Sequence, residues 1–139
     1  MKMKKQRYMV VDDDTTNNMI CEFTIKRFDK EGEIKMFAKP EEGLAFIKEE
    51  YSSTSEALPT VLFLDVNMPT MTGWEFLDGF MKFDEVIKDQ FTIYILSSSI
   101  EDFTAEAKIY TCIQDFLSKP LKISTLERIM KDRKELYMY

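Results

Sequence analysis

The chain of 139 residues contains no histidine. Catalysis that depends on an imidazole within the chain is therefore excluded. Its two cysteines, Cys21 and Cys112, lie in amphipathic segments and have no metal-ligand spacing. They are expected to be reduced, packed thiols, as in a cytoplasmic protein. No apolar run comes near the length of a membrane-spanning helix, and no signal-peptide core follows Met1-Lys2-Met3-Lys4-Lys5. Positive charge is in deficit, with 19 Lys and Arg against 25 Asp and Glu for a net charge of −6. An acidic domain has no general electrostatic attraction to nucleic acid or anionic membranes. Direct nucleic-acid binding and membrane insertion are not expected, and the expected location is cytoplasmic.

What is present is an ordinary globular composition, 45% hydrophobic and 32% charged. The length suits one domain, burying roughly 68% of the unfolded surface. The stretch Val61-Leu62-Phe63-Leu64-Asp65-Val66-Asn67-Met68-Pro69 organises the rest. A short, continuously apolar strand of this kind belongs to a parallel sheet buried on both faces. Asp65 then sits at the carboxyl edge of the sheet, where open α/β folds place their ligands. Taken alone, Asp65 could equally end the strand and cap the next turn.

The other segments follow one rhythm. Tyr8-Met9-Val10-Val11 reads as a strand ending in Asp12-Asp13-Asp14, and Thr15 to Asn18 lead into a helix. Met19, Ile20 and Phe23 are expected on the apolar face of that helix, with Gly32 stopping it. Ile34-Lys35-Met36-Phe37-Ala38 is a second strand. Pro40 starts a helix that turns Leu44, Ile47 and Tyr51 to one side. A polar loop, Ser52-Ser53-Thr54-Ser55, leads to the Val61 strand. The third helix carries Trp74, Leu77 and Met81, and residues 84–90 form a polar connection. Phe91-Thr92-Ile93-Tyr94-Ile95-Leu96 is the fourth strand, followed by Ser97-Ser98-Ser99. A fourth helix turns Phe103, Ala107 and Tyr110 inward. The fifth strand spans residues 113–118, weakened by Gln114 and Asp115, and ends in Lys119-Pro120. In the last helix Ser124 and Glu127 have the spacing of a capping box, with Leu126, Ile129 and Met130 buried. Five strands alternating with five helices, without repeat or linker, predict one α/β domain. Right-handed crossovers make its sheet parallel, with helices on both faces.

All carboxyl ends of a parallel sheet lie along one edge. Asp12-Asp13, Asp65, Ser97 and Lys119 would thus converge there, whereas Lys39-Pro40 after the second strand has no assigned chemistry. Crowded carboxylates raise one another's pKa unless a cation intervenes, which points to a hard divalent ion with oxygen ligands, Mg²⁺. Singly, each residue has an ordinary explanation. Asp12 to Asp14 could be a solvated cluster at a helix N-terminus. The serines could be caps, and Lys119 a surface lysine. All of these would have to coincide, in order, at one edge.

With these residues in place the chain resembles the receiver domain of two-component response regulators, in the single-domain form of chemotaxis regulators. The resemblance rests on Val10-Val11-Asp12-Asp13, Leu64-Asp65-Val66-Asn67-Met68-Pro69 with Gly73, Ser97, and Asp115-Phe116-Leu117-Ser118-Lys119-Pro120. It spans essentially the whole chain and implies a flavodoxin-like, doubly wound sheet of order 2-1-3-4-5. It also implies phosphorylation of Asp65 by a phosphohistidine on a sensor histidine kinase or phosphotransfer protein. Mg²⁺ would be held by Asp13, Asp65 and the Asn67 carbonyl, with Asp12 contacting a metal-bound water. Ser97 and Lys119 would bind phosphoryl oxygens, Phe116 would occupy the aromatic switch position, and the Lys119-Pro120 bond would be cis. A downstream protein would dock on the face of the fourth helix, fifth strand and last helix. Residues 1–139 are expected to be one receiver without an output domain. The site would be a self-limiting switch, capable only of Mg²⁺-dependent autophosphorylation and autodephosphorylation.

Three departures stand out: Thr72 where the family often has Asp or Asn, a third acid at Asp14, and Ser97 rather than threonine. An aspartyl-phosphate phosphatase resembling the haloacid dehalogenase group is disfavoured. Such enzymes want a second Asp two residues after the first, where this chain has Asn67, and a cap region that this length hardly supplies. A phosphate-independent interaction module with the same fold remains as the other alternative, against which the intact Asp12, Asp13, Asp65, Ser97 and Lys119 argue.

Overall fold

The computed structural model describes residues 6–52, 58–98 and 102–137, with side chains of the last helix described through Lys131. The expected loop at Ser53, Thr54 and Ser55, and Ser99, lie outside the described residues. The elements are β1 (Arg7–Val11), α1 (Thr15–Phe28), β2 (Glu33–Phe37), α2 (Pro40–Ser52), β3 (Thr60–Leu64) and α3 (Gly73–Phe80). They continue with α4 (Glu85–Lys88), β4 (Phe91–Ser97), α5 (Thr104–Ile109), β5 (Ile113–Ser118) and α6 (Ile123–Tyr137). The strands form one parallel sheet of order β2-β1-β3-β4-β5, the doubly wound arrangement expected. No helix among the described residues is long and apolar enough to cross a membrane.

Side chains alternate across the sheet, so each central strand feeds two cores. Met9, Val11, Leu62, Leu64, Ile93 and Ile95 face α2, α3 and α4, packing with Ile47, Tyr51, Phe76 and Phe80. Tyr8, Val10, Val61, Phe63, Tyr94 and Leu96 face the opposite way, onto Cys21, Ile25, Leu126 and Ile129 of α1 and α6. At the amino edge Arg7 is clamped by Glu33 at 2.8 Å, Glu50 at 3.3 Å and the Tyr51 hydroxyl at 3.3 Å.

Register aligns the other edge. Phe37, Val11, Leu64, Ile95 and Phe116 form one row across all five strands. Asp12 and Asp65 each lie one residue beyond that row, on neighbouring strands. Between β4 and β5 the register shifts: Ile93 pairs with Ile113, but Tyr94 pairs with Asp115. Gln114 is the extra residue of a bulge. The polar interruption in the fifth strand is therefore the place where the sheet resets, bringing Ser118 opposite Ser97.

Several local expectations change. Residues 84–90 are not a plain connection: they wind one helical turn, α4, because Ile87 is buried against the core and Asp84 O accepts from Ile87 N and Lys88 N. The structure thus has six helices among its described residues, not five. On α3 it is Phe76 and Phe80 that join Leu77 in the core, while Met81 lies exposed beyond the helix end. Ala107 is exposed and α5 buries no residue at all; only Phe103 and Tyr110, flanking it, pack inward. Leu126 N bonds to Lys122 O, so α6 is already wound before Ser124, whose hydroxyl cannot be its cap. A capping box does exist at Thr72 and Glu75, at the start of α3. Helix α1 ends at Phe28, capped by Asp29 rather than stopped by Gly32. A side chain at Gly32 would meet the Tyr8 ring at 2.7 Å, so the glycine serves close packing.

The largest change concerns which face of α1 is inside. Asn17, Asn18, Cys21, Thr24 and Ile25 are buried, whereas Met19, Ile20 and Phe23 are 72%, 40% and 64% exposed. The inner stripe is the more polar one, and the reason lies at the sheet edge. Phe23→Ser should accordingly shift stability by no more than about 0.5 kcal/mol, a surface substitution. Ile25→Ala should cost about 2–5 kcal/mol. Urea unfolding of the two variants measures both; a large loss in the first would return Phe23 to the core.

Candidate functional site

Each strand end is tied to its neighbour by the backbone. Asp12 N donates to Phe37 O at 3.1 Å, Asp65 N to Val11 O at 3.0 Å, and Lys119 N to Ser97 O at 2.8 Å. Past β3 the chain turns tightly, Gly73 N returning to Val66 O at 3.0 Å. A Cβ at Gly73 would lie 2.5 Å from Asp65 O and 2.8 Å from Val66 Cα, so backbone itself would have to move. Glycine is needed there because the helix start presses directly on the strand end.

Asp12, Asp13 and Asp65 bring carboxylate oxygens within 4.8 Å of one another. Asp12 and Asp65 are buried, 1% and 6% exposed, and Asp13 faces solvent. Lys119 reaches in from the end of β5, its Nζ 2.7 Å from Asp12 Oδ2 and 3.4 Å from Asp65 Oδ1. Ser97 is buried at the end of β4, between the strands bearing Asp65 and Lys119. Asn67 is exposed, and its backbone amide works to lower the Asp65 carboxyl. Asp14 stands apart: its carboxylate caps α1, accepting from Thr16 N at 3.0 Å and Asn17 N at 3.3 Å. The Lys119-Pro120 peptide bond is cis.

Phe116 lies away from the acids, half-buried and stacked on Phe103 with centroids 5.3 Å apart. Phe103 meets Trp74 at 5.6 Å, and Trp74 stacks on Tyr110 at 5.4 Å. The Tyr110 hydroxyl donates to Asp78 at 2.9 Å. These rings connect β5 to α3 across α5.

Two residues absent from the sequence-based site belong to it. Asn17 Nδ2 donates to Asp12 Oδ2 at 2.7 Å, and Asn18 Nδ2 to Asp12 O at 2.9 Å. Their spacing held the signal. Asn17, Cys21 and Thr24 repeat at helical intervals directly after the acids, and a buried acid requires donors. Cys21, which touches Asn17 at 3.6 Å, is no nucleophile at neutral pH, since burial and the nearby Asp12 push its thiol up to about 12.

Electrostatics leave the cluster short of positive charge. Burial first, then the charge of Asp12, push the Asp65 carboxyl up to about 6, Lys119 only partly offsetting them. Burial lowers the Lys119 ammonium, but hydrogen bonding and attraction to Asp12 and Asp65 outweigh this and raise it. One ammonium thus faces three acids. An all-oxygen donor set, open to solvent at Asp13, fits a hard divalent cation.

The sequence model of the response regulator receiver domain family matches residues 8–131. The chain belongs to that family. The receiver fold is shared with a two-component response regulator from Cytophaga hutchinsonii, with TM-score 0.80 and 23% identity, covering 94% of this chain and 97% of that one. A response regulator receiver protein from Dyadobacter fermentans matches with TM-score 0.79 and 21% identity, over 91% and 96% of the two chains. The chemotaxis response regulator CheY4 of Vibrio cholerae matches with TM-score 0.71 and 21% identity, over 93% and 98%. No curated protein sequence matches. At these identities the solved structures support the receiver fold; the family assignment rests on the sequence model.

The raised Asp65 carboxyl sets a pH dependence for the metal-free receiver. A native pKa above the unfolded one contributes stability that is complete below about pH 4 and lost as pH rises through about 6. Relative to Asp65→Asn, wild type in EDTA should lose about 2–3 kcal/mol between pH 4 and pH 8. Urea unfolding across that range measures the difference, and parallel pH profiles would show that Asp65 is not perturbed. Gly73→Ala should cost about 1–3 kcal/mol at any pH, because it overpacks backbone.

Proposed function

We propose that this receiver accepts a phosphoryl group on Asp65 from a phosphohistidine of a sensor histidine kinase or phosphotransfer protein. The observation carrying the reading is the meeting of Asp12, Asp13 and Asp65 with the Lys119 ammonium at one sheet edge. A carboxylate is a weak nucleophile toward phosphorus, and a phosphoryl group is itself anionic. Alignment and charge neutralisation are what such a site must supply. Asp65 is held by its backbone bond to Val11. Its carboxylate oxygen forms the bond to phosphorus as the phosphorus–nitrogen bond of the donor breaks, leaving an acyl phosphate. In this reading Lys119 turns from the acids to a phosphoryl oxygen, and the Ser97 hydroxyl donates to another. Asp13 and Asp65, with the Asn67 carbonyl, would hold Mg²⁺, Asp12 acting through a water. When bound, the ion supplies positive charge against the acids and the phosphoryl oxygens. Hydrolysis of the acyl phosphate then resets the switch, so the protein signals rather than turns over a substrate.

The phosphoryl group adds negative charge and acceptor oxygens beside Ser97 and Lys119. If Ser97 moves toward them, Phe116 can turn into the space released, giving up its stack on Phe103. Helix α5, which buries no residue of its own, is the element that such a change would displace most readily. A cytoplasmic partner would read the face formed by α5, β5 and α6. A shift of this kind requires the phosphoryl group to bind one state better than the other.

Incubation with acetyl phosphate and Mg²⁺ should add one phosphoryl mass to wild type and none to Asp65→Asn. Equal labelling of both would move the acceptor elsewhere, and no labelling of wild type would favour the phosphate-independent interaction module. Beryllofluoride, a phosphoryl mimic, should change the fluorine NMR signal of fluorinated Phe116 in wild type and much less in Ser97→Ala. An unchanged wild-type signal would mean that the face is reached by another route.

A further inference from the structure

Asp12 is 1% exposed, and every oxygen of its side chain is engaged. Oδ1 accepts from Asp14 N at 2.9 Å. Oδ2 accepts twice, from Lys119 Nζ and from Asn17 Nδ2, each at 2.7 Å. Lys119 is thus held on Asp12, and it stands farther from Asp65, at 3.4 Å. A lysine that leaves Asp12 for a phosphoryl oxygen takes away one of two donors from a buried carboxylate oxygen. Left with none from the protein, that oxygen would rely on a metal-bound water alone and incur part of the desolvation penalty of a buried charged group.

We propose that Asn17 is a positioning residue for phosphoryl binding: its carboxamide keeps Asp12 Oδ2 hydrogen-bonded when Lys119 turns to Asp65. The proposal rests on the reading of Asp65 as phosphoacceptor. Several features of α1 support it. Asn17 is 5% exposed and sits on the inner face of the helix, one turn before Cys21, which its Nδ2 also reaches at 3.6 Å. Asn18 secures the Asp12 carbonyl from the same turn, at 2.9 Å. The helix is anchored at its start by the Asp14 cap. The Asn17 amide therefore comes from a fixed element, whereas Lys119 brings its charge on a flexible four-carbon stem. A fixed neutral donor and a mobile charged one, sharing a single acceptor, allow the charge to be transferred without stranding the acid.

The redundancy makes a distinctive pattern of costs. Asn17→Leu keeps similar bulk but removes the donor. With Lys119 in place and EDTA present, its urea midpoint should stay close to that of wild type, because Lys119 still serves Oδ2. In a Lys119→Ala background, the same change should lower the midpoint clearly, since both donors are gone. Calorimetric titration at saturating Mg²⁺ should show beryllofluoride binding to Asn17→Leu weakened about tenfold or more, the usual worth of a hydrogen bond to a charged group. The Mg²⁺ affinity without beryllofluoride should change much less. Wild-type affinity for beryllofluoride in Asn17→Leu would overturn the proposal. A large stability loss with Lys119 present, or equal losses in both backgrounds, would also overturn it and make Asn17 a structural residue. Failure of wild type itself to bind beryllofluoride would overturn the phosphoacceptor reading, and this proposal with it.

Discussion

Two buried carboxylates, Asp12 and Asp65, sit on adjacent strands and share one ammonium group. Removing an ionised carboxylate from water costs several kcal/mol unless charge and hydrogen bonds replace the lost hydration. Lys119 supplies the charge, and Asp14 N and Asn17 Nδ2 supply hydrogen bonds to Asp12. The compensation is incomplete, as the raised Asp65 carboxyl records. A site left short of positive charge is consistent with binding of a divalent cation. Full compensation by the protein would leave no electrostatic reason to attract a cation.

Much of the architecture follows from bringing these four side chains together. The strand register sets Asp12 and Asp65 level with each other. The bulge at Gln114 advances β5, so that Ser118 faces Ser97 and Lys119 follows at the rim. Gly73 lets α3 begin against the backbone of Asp65. The first turn of α1 carries amides inward instead of aliphatic groups. Each is a local concession to the edge, and the two apolar cores on the opposite faces of the sheet hold them in place.

The face around α5 is built differently. It has no buried helical residue and is attached through the rings of Phe103 and Tyr110 to Trp74 and Phe116. Aromatic contacts of this kind add modest, geometry-dependent energies to the area they bury. Such a face can be repacked at lower cost than the cores under β1 and β3. Strand β5 contributes to both, with Phe116 in the aromatic set and Lys119, just past its end, at the acids.

How far the sequence alone reached depended on the range of the forces involved. Strand order, sheet direction and the set Asp12, Asp13, Asp65, Ser97 and Lys119 were legible, because buried strands announce themselves as continuous apolar runs and their carboxyl ends share one edge. The resemblance to receivers carried the roles of those residues further than spacing could. What sequence left wrong or silent was decided between segments. Met19, Ile20 and Phe23 form the more apolar stripe of α1, yet Asn17 and Asn18 face inward because a buried acid 5–6 residues earlier requires their donors. The one-turn helix α4 exists because Ile87 finds a place in a core made by other elements. Local pattern reports what each segment could bury. Only the assembled sheet determines what it must bury, since the demand for donors arises when Asp12, Asp65 and Lys119 meet.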